Sequence, residues 1–189
     1  MIKIGILGDI GSGKSYVARN FGYPVFNADY EVAKLYQQNK KIFNKLKKIL
    51  PKHIFSFPIE KKEISNAILA NKNNLNKIIK IVHTEVRKKM NIFLKKHRNK
   101  KIVILDVPLL LENKINKKKD ILVFIQSKQS DILKRLKNRK NFNQKLLKKF
   151  KNIQYSVRYK KEKSNFIIKN DFTNKTINDG IKNILKEIK

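Results

Sequence analysis

The sequence predicts an α/β fold, with a mostly five-stranded parallel sheet flanked by helices, a helical insertion and a helical lid. Three observations lead there. Short apolar runs alternate with amphipathic helical stretches. The first run ends in a cluster of glycines that opens a helix. A Lys-rich helical stretch at 36–99 interrupts the alternation, and strands resume after it.

The elements follow in order. The apolar run from Ile2 to Leu7 ends in glycine, which suits a buried parallel strand. Ser15 to Phe21 reads as a helix, Pro24 to Asn27 as a second strand, and Asp29 to Gln38 as a second helix. Lys40 to Arg98 is helical throughout. Within it Leu75, Ile78, Ile79, Val82, Val86, Met90 and Phe93 recur at three and four residues, as one helix face does. Strand character returns at Lys101–Asp106 and Asp120–Ile125. Ser130 to Arg139 is a helix opened by Ser and Asp, and Asn143 to Tyr159 is a very basic helix. Asn165 to Ile168 is the last strand, and Thr173 to Ile188 a closing amphipathic helix. The organisation expected is one domain over 1–189. Its core is 1–35, 100–134 and 161–189, its insertion 36–99 and its lid 135–160.

Composition limits the function classes. The 189 residues carry 46 Lys+Arg against 14 Asp+Glu, a formal charge of +32. Such a charge suggests nucleic acid or an anionic membrane. Its makeup argues otherwise. There are 40 Lys but 6 Arg, with 27 Ile and 22 Asn against 5 Ala and 6 Gly. Lys, Ile and Asn belong to A/T-rich codons, so the charge reads mostly as composition on a solvated surface. A dedicated nucleic-acid binder would use more Arg. No specific nucleic-acid partner is expected. The absence of Cys excludes disulfides, thiolate zinc sites and Cys nucleophiles. No apolar run approaches the ~20 residues of a membrane span, and the N-terminus does not read as a signal peptide. The expected compartment is the cytoplasm.

Four of the six glycines fall within the first thirteen residues. Gly8-Asp-Ile-Gly-Ser-Gly-Lys14-Ser15 fits G-x-x-x-x-G-K-[ST] between a predicted strand and a predicted helix. Glycines let successive backbone N–H groups turn inward on a phosphate, and the helix adds the positive end of its dipole. Lys14 places a cation on the β- and γ-phosphates, and the Ser15 hydroxyl is a hard oxygen ligand for Mg²⁺. The candidate ATP contacts are Gly8, Ile10, Gly11, Ser12, Gly13, Lys14, Ser15 and Tyr16.

Asp29 follows the second strand, at the sheet edge that carries the phosphate loop. A carboxylate there is placed to take a proton from an acceptor hydroxyl, and equally to serve as a first-turn acid of a helix. Asp106 ends a strand, where it can support Mg²⁺ through water or be plainly structural. Pro108-Leu-Leu-Leu-Glu112 follows; its leucines can wall a ligand or form a core turn. His83 and Arg87 stand four apart on the helical insert, so both can face one way. Arg135 and Arg139 share that spacing, which suits either a clamp on triphosphate charge or a solvated basic face.

Together these pieces resemble the dephospho-coenzyme A kinase family of P-loop proteins. The resemblance spans the chain through GDIGSGKS at 8–15, NAD at 27–29, VHTEVR at 82–87, DVPLLLE at 106–112, LKRLKNR at 133–139 and QYSVRYKKEKSNFIIKN at 154–170. It implies that ATP phosphorylates the ribose 3′-hydroxyl of dephospho-coenzyme A to give coenzyme A, with Mg²⁺. It implies that Asp29 is the base, with Lys14 and Arg139 as further catalytic groups. Arg135 and Arg139 would lie near ATP. Asp29, His83, Arg87, Pro108, Leu109, Leu110 and Glu112 would meet dephospho-coenzyme A. Asn27, Asp9, Thr84, Asn165 and Lys169 depart from the residues usual in the family. The expected partners are these two small molecules, on a monomer or weak homo-oligomer. The alternatives are a P-loop kinase of nucleosides or nucleoside monophosphates, and a basic nucleic-acid-binding NTPase.

Overall fold

The structure is a computed structural model that describes residues 1–140 and 142–188; Asn141, inside the expected lid, and Lys189 lie outside the described residues. Five strands form one sheet: β1 (Ile2–Gly8), β2 (Val25–Asn27), β3 (Ile102–Asp106), β4 (Ile121–Gln126) and β5 (Phe166–Lys169). Their order is β2-β3-β1-β4-β5, and every pairing is parallel. The helices are α1 (Lys14–Asn20), α2 (Ala28–Gln38), α3 (Lys40–Ile49), α4 (Lys61–Ala70), α5 (Lys72–Lys96), α6 (Gln129–Lys137), α7 (Gln144–Asn152), α8 (Val157–Glu162) and α9 (Asn174–Glu187).

The chain divides into two compact units. The first holds Met1–Asn27, His97–Asn143 and Phe150–Lys189, and therefore the whole sheet. Because a parallel sheet is covered on both faces, its central strands read as unbroken apolar runs. Ile4, Ile6, Ile104, Val123 and Ile125 are buried there. They share a core with Val17, Ala18 and Phe21 of α1 and with Ile177, Ile181 and Ile184 of α9. The second unit holds Ala28–Lys96 and Gln144–Lys149, so α2 clusters with the insertion and not with the sheet. The apolar face expected on the long insert is that of α5, where Leu75, Ile78, Val82 and Val86 are buried. Glu63 is buried in this unit, and its carboxylate accepts the N–H groups of Phe55 and Ser56 at 3.2 and 3.1 Å.

Two boundaries differ from expectation. The basic stretch 143–159 is two helices, because the Ser156 side chain caps α8 by accepting the Tyr159 N–H at 3.1 Å. α6 ends at Lys137, so Arg139 lies in the following turn and does not share a helix face with Arg135. The segment after Asp106 forms turns and no helix.

Candidate active site

The phosphate loop lies between β1 and α1, at the carboxyl edge of the sheet. Its backbone needs glycine. Gly8 has φ 151°, and a Cβ there would sit 2.6 Å from Ser12 Oγ and 2.9 Å from the Ile125 carbonyl oxygen. Gly13 has φ 89°, and a Cβ there would lie 2.5 Å from Asn170 Nδ2. Gly13 also caps α1 with no side-chain hydrogen bond. That leaves the first turn of the helix oriented for an anion.

Lys14 folds back on its own loop, donating to the Asp9 carbonyl at 2.7 Å and the Gly8 carbonyl at 3.3 Å. Ser15, in the first turn of α1, is half-buried. Tyr16 is exposed, and its hydroxyl donates to Asn174 Oδ1. Asp9 is engaged on both oxygens: Oδ1 accepts the Ile10 N–H at 2.7 Å, and Oδ2 pairs with Lys151 at 3.3 Å. The extra negative charge in the loop is thus matched by a lysine from the end of α7.

A second tier of residues holds the loop from behind. The buried Asn170 donates to the Ser12 carbonyl at 2.8 Å, and Ser127 Oγ donates to the same oxygen at 3.1 Å. Asn170 Oδ1 in turn accepts the Phe172 N–H at 2.8 Å. The Arg135 guanidinium lies 4.2 Å from the centre of the Phe172 ring, a cation–π contact. Asn170, Ser127 and Phe172 were not expected as site residues. Their one sequence signal is position, just beyond the carboxyl ends of β4 and β5, where parallel sheets carry ligands. Ser12 is buried, and its carbonyl is the loop group that Asn170 and Ser127 hold.

The end of β3 carries Asp106, buried and paired in register with Asn27 of β2. Asn27 Nδ2 donates to Asp106 Oδ2 at 2.6 Å. The Asp106 carboxylate, at the end of β3, and the Ser15 hydroxyl, in the first turn of α1 that follows the adjacent strand β1, are hard oxygen donors at the same sheet edge. That donor set fits Mg²⁺.

Two of the expected acceptor contacts are engaged inside the chain. Leu110 is 0% exposed, packed over Gly5 beside Leu122, so it belongs to the core. Glu112 is taken up within the chain: Oε1 accepts the Tyr155 N–H at 2.7 Å and pairs with Lys160 at 3.2 Å. Lys160 is buried and donates to Gln154 Oε1 at 2.6 Å. Pro108 and Leu109 remain partly exposed. Arg139 is exposed, with its backbone N–H on the Leu136 carbonyl at 3.1 Å.

The remaining expected residues belong to the second unit. Asp29 is exposed in the first turn of α2, two residues beyond the end of β2. His83 is half-buried and Arg87 exposed, one turn apart on α5.

Comparison with known proteins is consistent in direction. The sequence profile of the family described as "CoaE: Dephospho-CoA kinase" matches residues 2–176. A dephospho-CoA kinase of Wolbachia sp. subsp. Brugia malayi (strain TRS) is 32% identical over 190 residues, spanning 98% of this chain and 97% of the relative. One from Zymomonas mobilis is 27% identical over 173 residues, 90% of this chain and 88% of the relative. Among solved structures, TT1252 from Thermus thermophilus aligns over 100% of this chain and 98% of that one, at TM-score 0.75 and 22% identity. A dephospho-CoA kinase from Campylobacter jejuni aligns over 98% and 96%, at TM-score 0.63 and 20% identity. Those two likenesses establish the fold. No helix among the described residues is long and apolar enough to cross a membrane.

Proposed function

The chain belongs to the dephospho-CoA kinase family, and from that premise we propose that it transfers the γ-phosphoryl of ATP to the ribose 3′-hydroxyl of dephospho-coenzyme A, forming coenzyme A. The observation that carries the reading is the intact phosphate loop, Gly8 to Ser15, in a chain whose family match covers residues 2–176. A nucleoside acceptor and a nucleic-acid-dependent NTPase are not favoured by that match.

In this reading the phosphates of ATP take over the partners that Lys14 now finds in loop carbonyls. The loop N–H groups and Lys14 neutralise charge on the transferring group. Arg135, held against Phe172, and Arg139 add positive charge on the donor side. Ser15 and Asp106 would hold Mg²⁺, which when bound neutralises phosphate charge. Asn27 fixes the Asp106 carboxylate by donating to it and brings no second negative charge. Asp29 accepts the proton of the attacking hydroxyl as the P–O bond forms and ADP leaves. His83, Arg87, Pro108 and Leu109 contact dephospho-coenzyme A. Binding fixes the reactants in line, and the segment 135–160 excludes water from them. The protein works in the cytoplasm as a monomer or weak homo-oligomer.

A panel of acceptors with γ-labelled ATP tests the proposal. Label should pass to dephospho-coenzyme A, and not to nucleosides or nucleoside monophosphates. Preferential labelling of a nucleoside or of AMP would overturn it.

A further inference from the structure

A second concavity lies in the sheet-bearing unit, away from the phosphate loop. It is a cleft of about 430 Å³, in the range of small-molecule sites. Asp120 and Asn165, which line it, stand immediately before β4 and β5. In a parallel sheet that is the amino edge, opposite the one that carries the phosphate loop, Asp106 and Asn170. Of its lining residues, the catalytic reading draws only on Tyr155 and Tyr159, as part of the segment 135–160.

Its chemistry is one-sided. Lys114, Lys117, Lys118 and Lys163 line it together with the rings of Tyr155 and Tyr159. Asp120 is the acid in the lining, and it is already engaged. It lies 3.6 Å from Lys3 and accepts the Lys117 N–H at 2.8 Å, with its side chain 4% exposed. Four lysines therefore line the cleft, and the acid in its wall is already taken by other partners. Lysines are spread over this whole chain; here they surround a concavity that also presents aromatic rings.

Those rings are held in place and stay partly exposed, with the Lys163 ammonium 5.6 Å from the centre of the Tyr159 ring. Tyr155 and Tyr159 meet edge to face at 4.8 Å, and they are 43% and 40% exposed. The buried Lys160–Glu112 pair and the Tyr155 N–H to Glu112 bond anchor the start of α8 beneath them. The floor is rigid as well: Asn165 and Leu122 exchange two hydrogen bonds of 2.8 Å. Lys114, on the rim, holds φ 50°, a conformation rare outside glycine.

We propose that this cleft binds a nucleoside phosphate at a site separate from the catalytic one, with its ring on Tyr155 and Tyr159 and its phosphates on the four lysines. A ring on an aromatic face and phosphate on clustered ammonium groups is the chemistry that the lining supplies. A pre-formed floor lowers the ordering cost of binding.

Lysine acylation footprinting of the full chain, read by peptide mass spectrometry, tests it, with ADP and tripolyphosphate as probes. ADP should lower acylation of Lys114, Lys117, Lys118 and Lys163 several-fold while Lys47 and Lys48 are unaffected. The same protection should appear in Lys14→Ala, whose catalytic site is impaired. It should be lost at Lys114 and Lys163 in Lys117→Gln/Lys118→Gln, which should retain wild-type turnover. Tyr159→Leu should weaken protection by ADP and leave the weaker effect of tripolyphosphate unchanged. Three results would overturn the proposal: protection confined to Lys14, protection spread evenly over all lysines, or equal protection by ADP and tripolyphosphate that survives in Tyr159→Leu.

Discussion

Replacing Lys160 by Met tests how α8 is tied to the turn after β3. The Lys160 side chain is 3% exposed and lies 3.2 Å from Glu112 Oε1. Removing the ammonium leaves the Glu112 carboxylate, 10% exposed, with the Tyr155 N–H as its remaining donor. Breaking one side of a buried pair costs about 3–5 kcal/mol. For a chain of this size, with roughly 2–4 °C lost per kcal/mol, the melting temperature should fall by about 6–20 °C. Lys160→Met/Glu112→Leu removes the stranded charge as well. Glu112 Oε2 is buried with no hydrogen-bond partner among the described residues, so the native pair is itself imperfectly satisfied. The double variant should therefore recover part of the loss, short of roughly 1 kcal/mol each for the Tyr155 N–H and the Gln154 Oε1 that lose their partners. The assay is thermal melting by circular dichroism, with amide exchange over 154–162 as the local readout. A single variant that melts within about 2 °C of wild type, or a double variant less stable than the single, would refute the reasoning.

Three further outcomes are expected. Asn170→Ala removes one of two donors to the Ser12 carbonyl and the acceptor of the Phe172 N–H, so stability should fall by about 1–3 kcal/mol; steady-state kinetics should show KM for ATP rising more than kcat falls. Asp29→Ala should keep ATP affinity by calorimetry while single-turnover phosphoryl transfer slows by about 10²–10⁴-fold. Asp9→Asn removes a carboxylate from the loop at the cost of the partly exposed Lys151 pair, worth no more than about 1 kcal/mol; ATP should bind more tightly and the melting temperature should hardly move.

The sheet was readable because each strand is a short apolar run closed by a turn residue or an acid, and buried parallel strands have that pattern. The phosphate loop was readable because its glycines stand out in a chain that uses few. What holds that loop was not readable. Asn170 and Ser127 reach Ser12 across 158 and 115 residues of sequence. Asn170 is also one of 22 asparagines, so its residue type carried no signal. Lys151 and Lys160 were hidden in the same way among 40 lysines. Both corrected boundaries have local causes. The Lys-rich run 143–159 keeps helical character through the break, and the Ser156 cap shows only in its bond to Tyr159. Leu110 and Glu112 sit in a segment whose pattern does not say which side chains turn inward. Packing over Gly5 and pairing with Lys160 decide it.

The most direct test of the central claim is the product formed from ATP and dephospho-coenzyme A, with the new phosphate located by phosphorus NMR. The account predicts coenzyme A phosphorylated at the ribose 3′ position, formed by the wild-type chain and not by Lys14→Ala. No coenzyme A from the wild-type chain, or equal formation by Lys14→Ala, would contradict it.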